Sequence, residues 1–117
     1  MSYALLIVEP TGQREKRTEA EGREHYDRML HFSEDLKARG LLTLSQSLKS
    51  DTGGARVHVQ SGKTTVVDGP FAEAKEMIGG FFILTCETRE QAIALAQDCP
   101  ASRWATVEVR ELGPCFT

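Results

Sequence analysis

The run Asp68-Gly69-Pro70-Phe71-Ala72-Glu73-Ala74-Lys75-Glu76 gathers three carboxylates and one ammonium group around a Gly-Pro turn, between two apolar segments. A carboxylate held at such a turn beside buried apolar surface can serve as acid or base, which makes Asp68 the first catalytic candidate. The turn also has a purely structural account, because the Asp side chain before Gly-Pro can accept hydrogen bonds from backbone N–H groups of the turn. Arg56 and Lys75 are candidates to hold an anionic substrate, Arg as a planar fork and Lys as a point charge. Glu73 and Glu76 join them as substrate-binding candidates, with a solvated charged face as the alternative. His25 is the second candidate for proton transfer, set against the commoner role of a neutral imidazole packed in a core.

The other reactive residue types form no legible constellation. Arg56 and His58 alternate and share one face of a strand, assigned to solvent or to a dimer cleft. Cys86, Cys99 and Cys115 show neither close pairing nor nearby histidines, so reduced structural thiols are expected and no metal site. No Ser or Cys has a readable His and Asp beside it. Gly53-Gly54 and Gly79-Gly80 are isolated pairs outside a strand-to-helix turn, so no phosphate loop or dinucleotide fingerprint is present and no cofactor is expected. Phe71 and Trp104 read as packing anchors.

These residues must be positioned by a small frame. The 117 residues fit one domain, 1–117, large enough for a self-supporting core. A net charge of −3 with dispersed Lys and Arg provides no footprint for direct nucleic-acid binding. No apolar run approaches membrane-spanning length and no secretory signal is seen, so a cytoplasmic protein is expected. Tyr3 to Val8 reads as a strand buried on both faces, ended by Pro10 and Gly12. Thr18 and Glu21 form a capping box for a helix from about 19 to 39, stopped at Gly40, with Gly22, His25, Met29, Phe32, Ser33 and Leu36 on one stripe and His31 nearly opposite. Leu41 to Leu48 is a second strand. Arg56 to Val59 and Thr64 to Val67 flank Ser61-Gly62 as a hairpin. Phe81 to Cys86 is a strand preceded by Gly79-Gly80, and Thr88 with Gln91 caps a helix ending near Pro100. Ala105 to Arg110 alternates as a last strand, and the tail from Gly113 is irregular. The order is α+β, ferredoxin-like: two βαβ-type halves around a hairpin. Both helices cover one sheet face, and a second copy is the expected cover for the other, as a homodimer.

Asp68-Gly69-Pro70-Phe71-Ala72-Glu73-x-Lys75-Glu76 followed by Gly79-Gly80-Phe81-Phe82 resembles the signature of the YCII-related superfamily, in its DGPF-domain branch. Gly54-Ala55-Arg56-Val57, Gly62-Lys63, Ala92-Ile93-Ala94, Cys99-Pro100 and Val107-Glu108-Val109-Arg110 extend the resemblance over nearly the whole chain. It implies a dimeric α/β barrel of ferredoxin-like subunits, similar to muconolactone isomerase. Many YCII-related proteins carry a histidine in the first helix that lines a pocket with an acidic residue. Counting back from Gly40, that position here is Met29, with His25 one turn earlier on the same stripe.

The leading expectation is a cofactor-independent enzyme in which Asp68, or His25 in a shifted version of the helix-histidine role, moves a proton on a small metabolite fixed by Arg56 or Lys75. The alternative is a non-catalytic dimer that binds a small molecule or acts in sigma-factor-linked control. The cleft is expected beneath the first helix, with Phe71 turned inward and Asp68 and Lys75 at its mouth.

Overall fold

A computed structural model describes residues 1–116. Tyr3, Leu5 and Ile7 alternate along β1 (Ser2–Pro10), and the two-residue pleat puts all three on one buried face. β1 is central: it pairs antiparallel with β5 (Glu76–Thr85) on one side and β6 (Thr106–Glu111) on the other. With β2 (Leu42–Ser47) outside β5, the sheet order is β2-β5-β1-β6. β3 (Ala55–Gln60) and β4 (Lys63–Asp68) form a separate two-stranded hairpin inserted between β2 and β5. The helices α1 (Glu19–Ala38) and α2 (Arg89–Asp98) complete the mixed α+β, ferredoxin-like arrangement.

The ends of α1 are set by local chemistry. Thr18 Oγ accepts from the Glu21 N–H at 3.1 Å while the Glu21 carboxylate accepts from the Thr18 N–H at 3.0 Å. The Thr18 backbone N–H first, and its hydroxyl second, hold the Glu21 carboxyl below the usual carboxylate range. At the other end Gly40 adopts φ +71°, and its N–H and that of Leu41 return to the carbonyls of Lys37 and Leu36. Between the caps, the positions shielded from solvent are Gly22, His25, Met29, Phe32, Ser33 and Leu36, the stripe that helical spacing dictates. Phe32 meets Phe82 edge-on with ring centroids 5.3 Å apart, and Leu36 is fully buried. Ala92, Leu95, Ala96 and Cys99 from the second helical segment close the same core.

Two local expectations change. Strand β5 begins at Glu76 rather than Phe81, because the register shifts by one residue between Ile7 and Val8 and the ladder resumes with Ile78 and Met77. Glu76 is therefore a strand residue opposite Pro10 and not part of a charged turn. At α2, Thr88 accepts from the Gln91 N–H, but the Gln91 side chain returns to the N–H of Glu87 instead of Thr88.

The second face of the sheet carries Leu6, Val8, Phe81 and Ile83, all partly exposed, together with Leu44 and Ile78, both 47% exposed. Among the described residues no helix is long and apolar enough to cross a membrane. Because Leu36 sits at the helix–sheet contact with no solvent exposure, Leu36→Ala is expected to cost about 2–5 kcal/mol through lost burial and a residual cavity. Urea unfolding followed by circular dichroism measures it.

Candidate functional site

Glu9 extends the alternation of Tyr3, Leu5 and Ile7 by one more step, so the pleat that buries the apolar residues also carries a carboxylate onto the helix-covered face. It is only 4% exposed. A charge taken out of water needs a partner, and Arg14, from the short helical turn Arg14–Lys16, supplies one. Arg14 Nε donates to Glu9 Oε1 at 2.5 Å, Nη1 to the Leu48 carbonyl at 2.9 Å and Nη2 to the Gly79 carbonyl at 3.4 Å. One guanidinium thus ties the end of β1 to the chain after β2 and to the irregular step in β5. A Cβ at position 79 would overlap Glu9 Oε2 and Arg14 Nη2, so only glycine leaves room for the pair.

Above this floor lies an open cavity of about 1160 Å³ between α1 and the β2–β5 side of the sheet. That volume accommodates a small metabolite with solvent. Its wall includes His25, Trp104, Arg17 and Ser45 as well as Glu9 and Arg14. The His25 ring lies flat on Trp104, with centroids 3.8 Å apart and planes 4° from parallel. Trp104 is held in turn: its carbonyl accepts from Gln13 Nε2 at 2.7 Å, and Gln13 Oε1 accepts from Arg17 Nη2 at 2.6 Å. The Arg28 guanidinium stands 5.4 Å from the indole centroid. Ser33 and Ser45 hydroxyls bridge α1 to β2 at 3.0 Å.

His25 Nδ1 is buried without a hydrogen-bond partner. Leaving such an atom unpaired costs about 1–3 kcal/mol, and Nδ1 is shielded from solvent although the residue itself lines the cavity. Burial, reinforced by the positive charges of Arg17 and Arg28, lowers the His25 pKa below the ordinary 6.5, and Glu24 and Glu21 oppose the shift only partly. The imidazole is consequently neutral at pH 7 and able to take up a proton. The unfolded chain binds that proton more readily than the folded one, so this group's contribution to stability falls as pH drops through about 6.5, and stops falling below the folded-state value.

The residues singled out from sequence do not converge within one chain. His25 lines the cavity; Asp68, Arg56, Glu73, Lys75 and Glu76 do not. Asp68 ends β4 opposite Ala55 and is exposed. The turn-stabilising bond expected of Asp68 is made by Asp51, whose Oδ2 accepts from the Phe71 N–H at 3.3 Å. Arg56 lies over the Phe71 ring at 4.1 Å, and Phe71 is half-buried at the root of the hairpin. Glu73 and Lys75 are exposed, and the Lys75 carbonyl receives the Thr11 N–H. Asp68 and Lys75 are therefore placed away from the cleft mouth, because the loop folds back on residues 51–54 and on Thr11 rather than towards α1. Trp104, expected as a packing anchor, packs on the core and also forms cavity wall. Cys86 and Cys99 are buried free thiols; burial pushes Cys99 up to about 11, which leaves it unreactive.

Glu9 and Arg14 went unnoticed in the sequence. The signal was the charged residue in phase with Tyr3, Leu5 and Ile7, with a cation five residues later.

The sequence pattern of the YCII-related domain family matches residues 1–115. An uncharacterised protein of Rhizobium meliloti (strain 1021) is 38% identical over 63 residues, covering 52% of this chain and 51% of that protein. The match thus spans about half the length of that relative. Among solved structures, the 5-chloro-2-hydroxyhydroquinone dehydrochlorinase of Burkholderia phenoliruptrix AC1100, in complex with 2,5-dihydroxybenzoquinone, superposes with a TM-score of 0.57. That superposition covers 97% of this chain and 94% of the enzyme at 15% identity, a likeness of fold.

Removing one member of the Glu9–Arg14 pair strands the other. Arg14→Met is expected to destabilise the protein by about 3 kcal/mol, whereas the double change Glu9→Leu with Arg14→Met costs less than the single one, since no buried charge is left unpaired. Urea unfolding of both variants checks the ordering.

Proposed function

The chain belongs to the YCII-related domain family, and we propose that it is a cofactor-independent enzyme in which His25 accepts a proton from a small organic acid or enol bound in the cavity. The observation that carries this reading is the His25 imidazole in the wall of a metabolite-sized cavity, with no hydrogen bond at Nδ1 to engage it elsewhere. A base is useful at neutral pH when it is both unprotonated and within reach of the substrate, and desolvation between two guanidinium groups meets the first condition. The imidazolium formed by proton transfer would be held against Trp104, whose π face favours a cation. Arg17, on the same wall, fixes an anionic substituent of the substrate, taking the role expected of Arg56 or Lys75. Glu9 and Arg14 shape the floor through their mutual pairing.

The fold shared with a dehydrochlorinase that has a dihydroxybenzoquinone bound supports a flat, oxygen-rich ring as a first ligand to try, although at 15% identity the reaction itself does not transfer. The assembly proposed with this activity is a homodimer in the manner of a dimeric α/β barrel, two copies covering the apolar sheet faces that carry Leu44 and Ile78.

Trp104 is the chain's single tryptophan and stacks on His25, so its fluorescence reports occupancy of the cavity directly. Hydroxylated quinones and small carboxylates, beginning with 2,5-dihydroxybenzoquinone, are to be screened by quenching and then for product formation. Turnover is expected to fall by about 10²–10⁴-fold in His25→Asn. In the wild type, kcat/KM should decline with an inflection below pH 6.5 as His25 becomes protonated. Undiminished turnover in His25→Asn would reject the role of His25. A quencher recovered unchanged by every variant and the wild type favours the non-catalytic binding or regulatory dimer instead.

A further inference from the structure

The hairpin formed by β3 and β4 is an arm without a support. All of its strand residues are exposed, and the strands pack on each other rather than on the four-stranded sheet or the helices. Its register places Val57 opposite Val66, with Val59 two residues along on the same face, and these three valines are 60–65% exposed. Ser61 and Gly62 both have positive φ and close the arm tightly, so its shape is defined by its own turn. A lone two-stranded hairpin is marginal in water, and an apolar stripe on one of its faces makes it more so.

The dimensions of the chain say how much cover is missing. A folded monomer of 12.9 kDa exposes about 6,300 Å². This chain exposes 8195 Å², an excess of about 1,900 Å² over that expectation. Its radius of gyration is 16.0 Å, against about 13.4 Å for a compact chain of this length. The excess exceeds the roughly 800 Å² per partner of a standard stable interface. Among the apolar surfaces that a partner could cover are the arm's valine face and the open face of the sheet, with Leu44 and Ile78. A self-complementary pairing about a two-fold axis buries each such surface twice without requiring any other molecule.

We propose that the β3–β4 arm is a dimerisation arm: it reaches across to a second copy of this chain and seats Val57, Val59 and Val66 on that copy's open sheet face. The inference rests on the dimer put forward above and adds to it the element that clasps the partner. It also accounts for Val57, Val59 and Val66 sharing one face while Arg56, His58 and Lys63, with Val67, lie on the other, where solvent remains.

The test is sedimentation equilibrium of the full chain and of two variants, Val57→Asp with Val66→Asp, and Val57→Thr with Val66→Thr. The second keeps β-branched side chains and so preserves strand preference. Far-UV circular dichroism and cooperative melting establish that the body remains folded in each. The wild type is expected at twice 12.9 kDa at 10 µM. The Asp variant is expected as a monomer, and the Thr variant should dissociate about tenfold more readily. Amide hydrogen exchange in residues 55–68 should be slow in the wild-type dimer and fast in the Asp variant. A monomeric wild type overturns both the dimer and the arm. A wild-type dimer whose two variants dissociate no more readily than it does, or whose arm exchanges like an unfolded peptide, overturns the arm alone and leaves the dimer standing.

Discussion

A carboxylate on the buried face of the central strand is the constraint around which the cavity is built. Glu9 occupies a position that the pleat reserves for an apolar residue, and at 4% exposure its charge is sustained by Arg14. The guanidinium satisfies that charge and also donates to the carbonyls of Leu48 and Gly79. Three segments far apart in sequence are thereby held at fixed separation. The glycine at 79 is a consequence of the same pair, because a side chain there would occupy the space of the two charged groups. Such a pair adds little net stability over an apolar replacement, and its value lies in the geometry it imposes.

That geometry leaves the N-terminal half of α1 standing over a floor it does not fill. Phe32 and Leu36 pack tightly on the sheet, whereas His25 and Gly22, about two and three turns before Phe32, line the open volume. The helix therefore has a packing end and a cavity end. Trp104, coming from beyond the turn Pro100–Arg103, fills part of the gap and stacks on His25, while the Gln13–Arg17 link fixes the Trp104 backbone. His25 is thus oriented by its ring face and left without a partner at Nδ1. A ring held by stacking rather than by a carboxylate stays neutral, which separates it from a paired, charged histidine.

Much of the fold was legible because it rests on short-range rules. The alternation in β1, the stripe and both caps of α1, and the Ser61-Gly62 turn each follow from residue type and period. The family resemblance was legible for the same reason, since its signature is a contiguous run. The site was less so. His25 is legible as a candidate from the helix stripe, but its stacking partner lies 79 residues away and no local pattern joins them. Asp68 drew attention through turn chemistry, yet the N–H of Phe71 turns to Asp51, 20 residues earlier, because the residues 51–54 fold beneath the Gly-Pro turn. The early start of β5 depended on a one-residue register shift, which side-chain periodicity breaks rather than signals.

The proposed chemistry requires His25 to be neutral and stacked on Trp104 without a hydrogen bond at Nδ1. A pH titration of Trp104 fluorescence, compared between the wild type and His25→Phe, measures this directly, because an imidazolium stacked on the indole quenches it and a neutral imidazole does not. A single transition with a midpoint below 6.5, absent from His25→Phe, is the result predicted. A midpoint at or above 6.5, or a transition that survives the loss of His25, would contradict it.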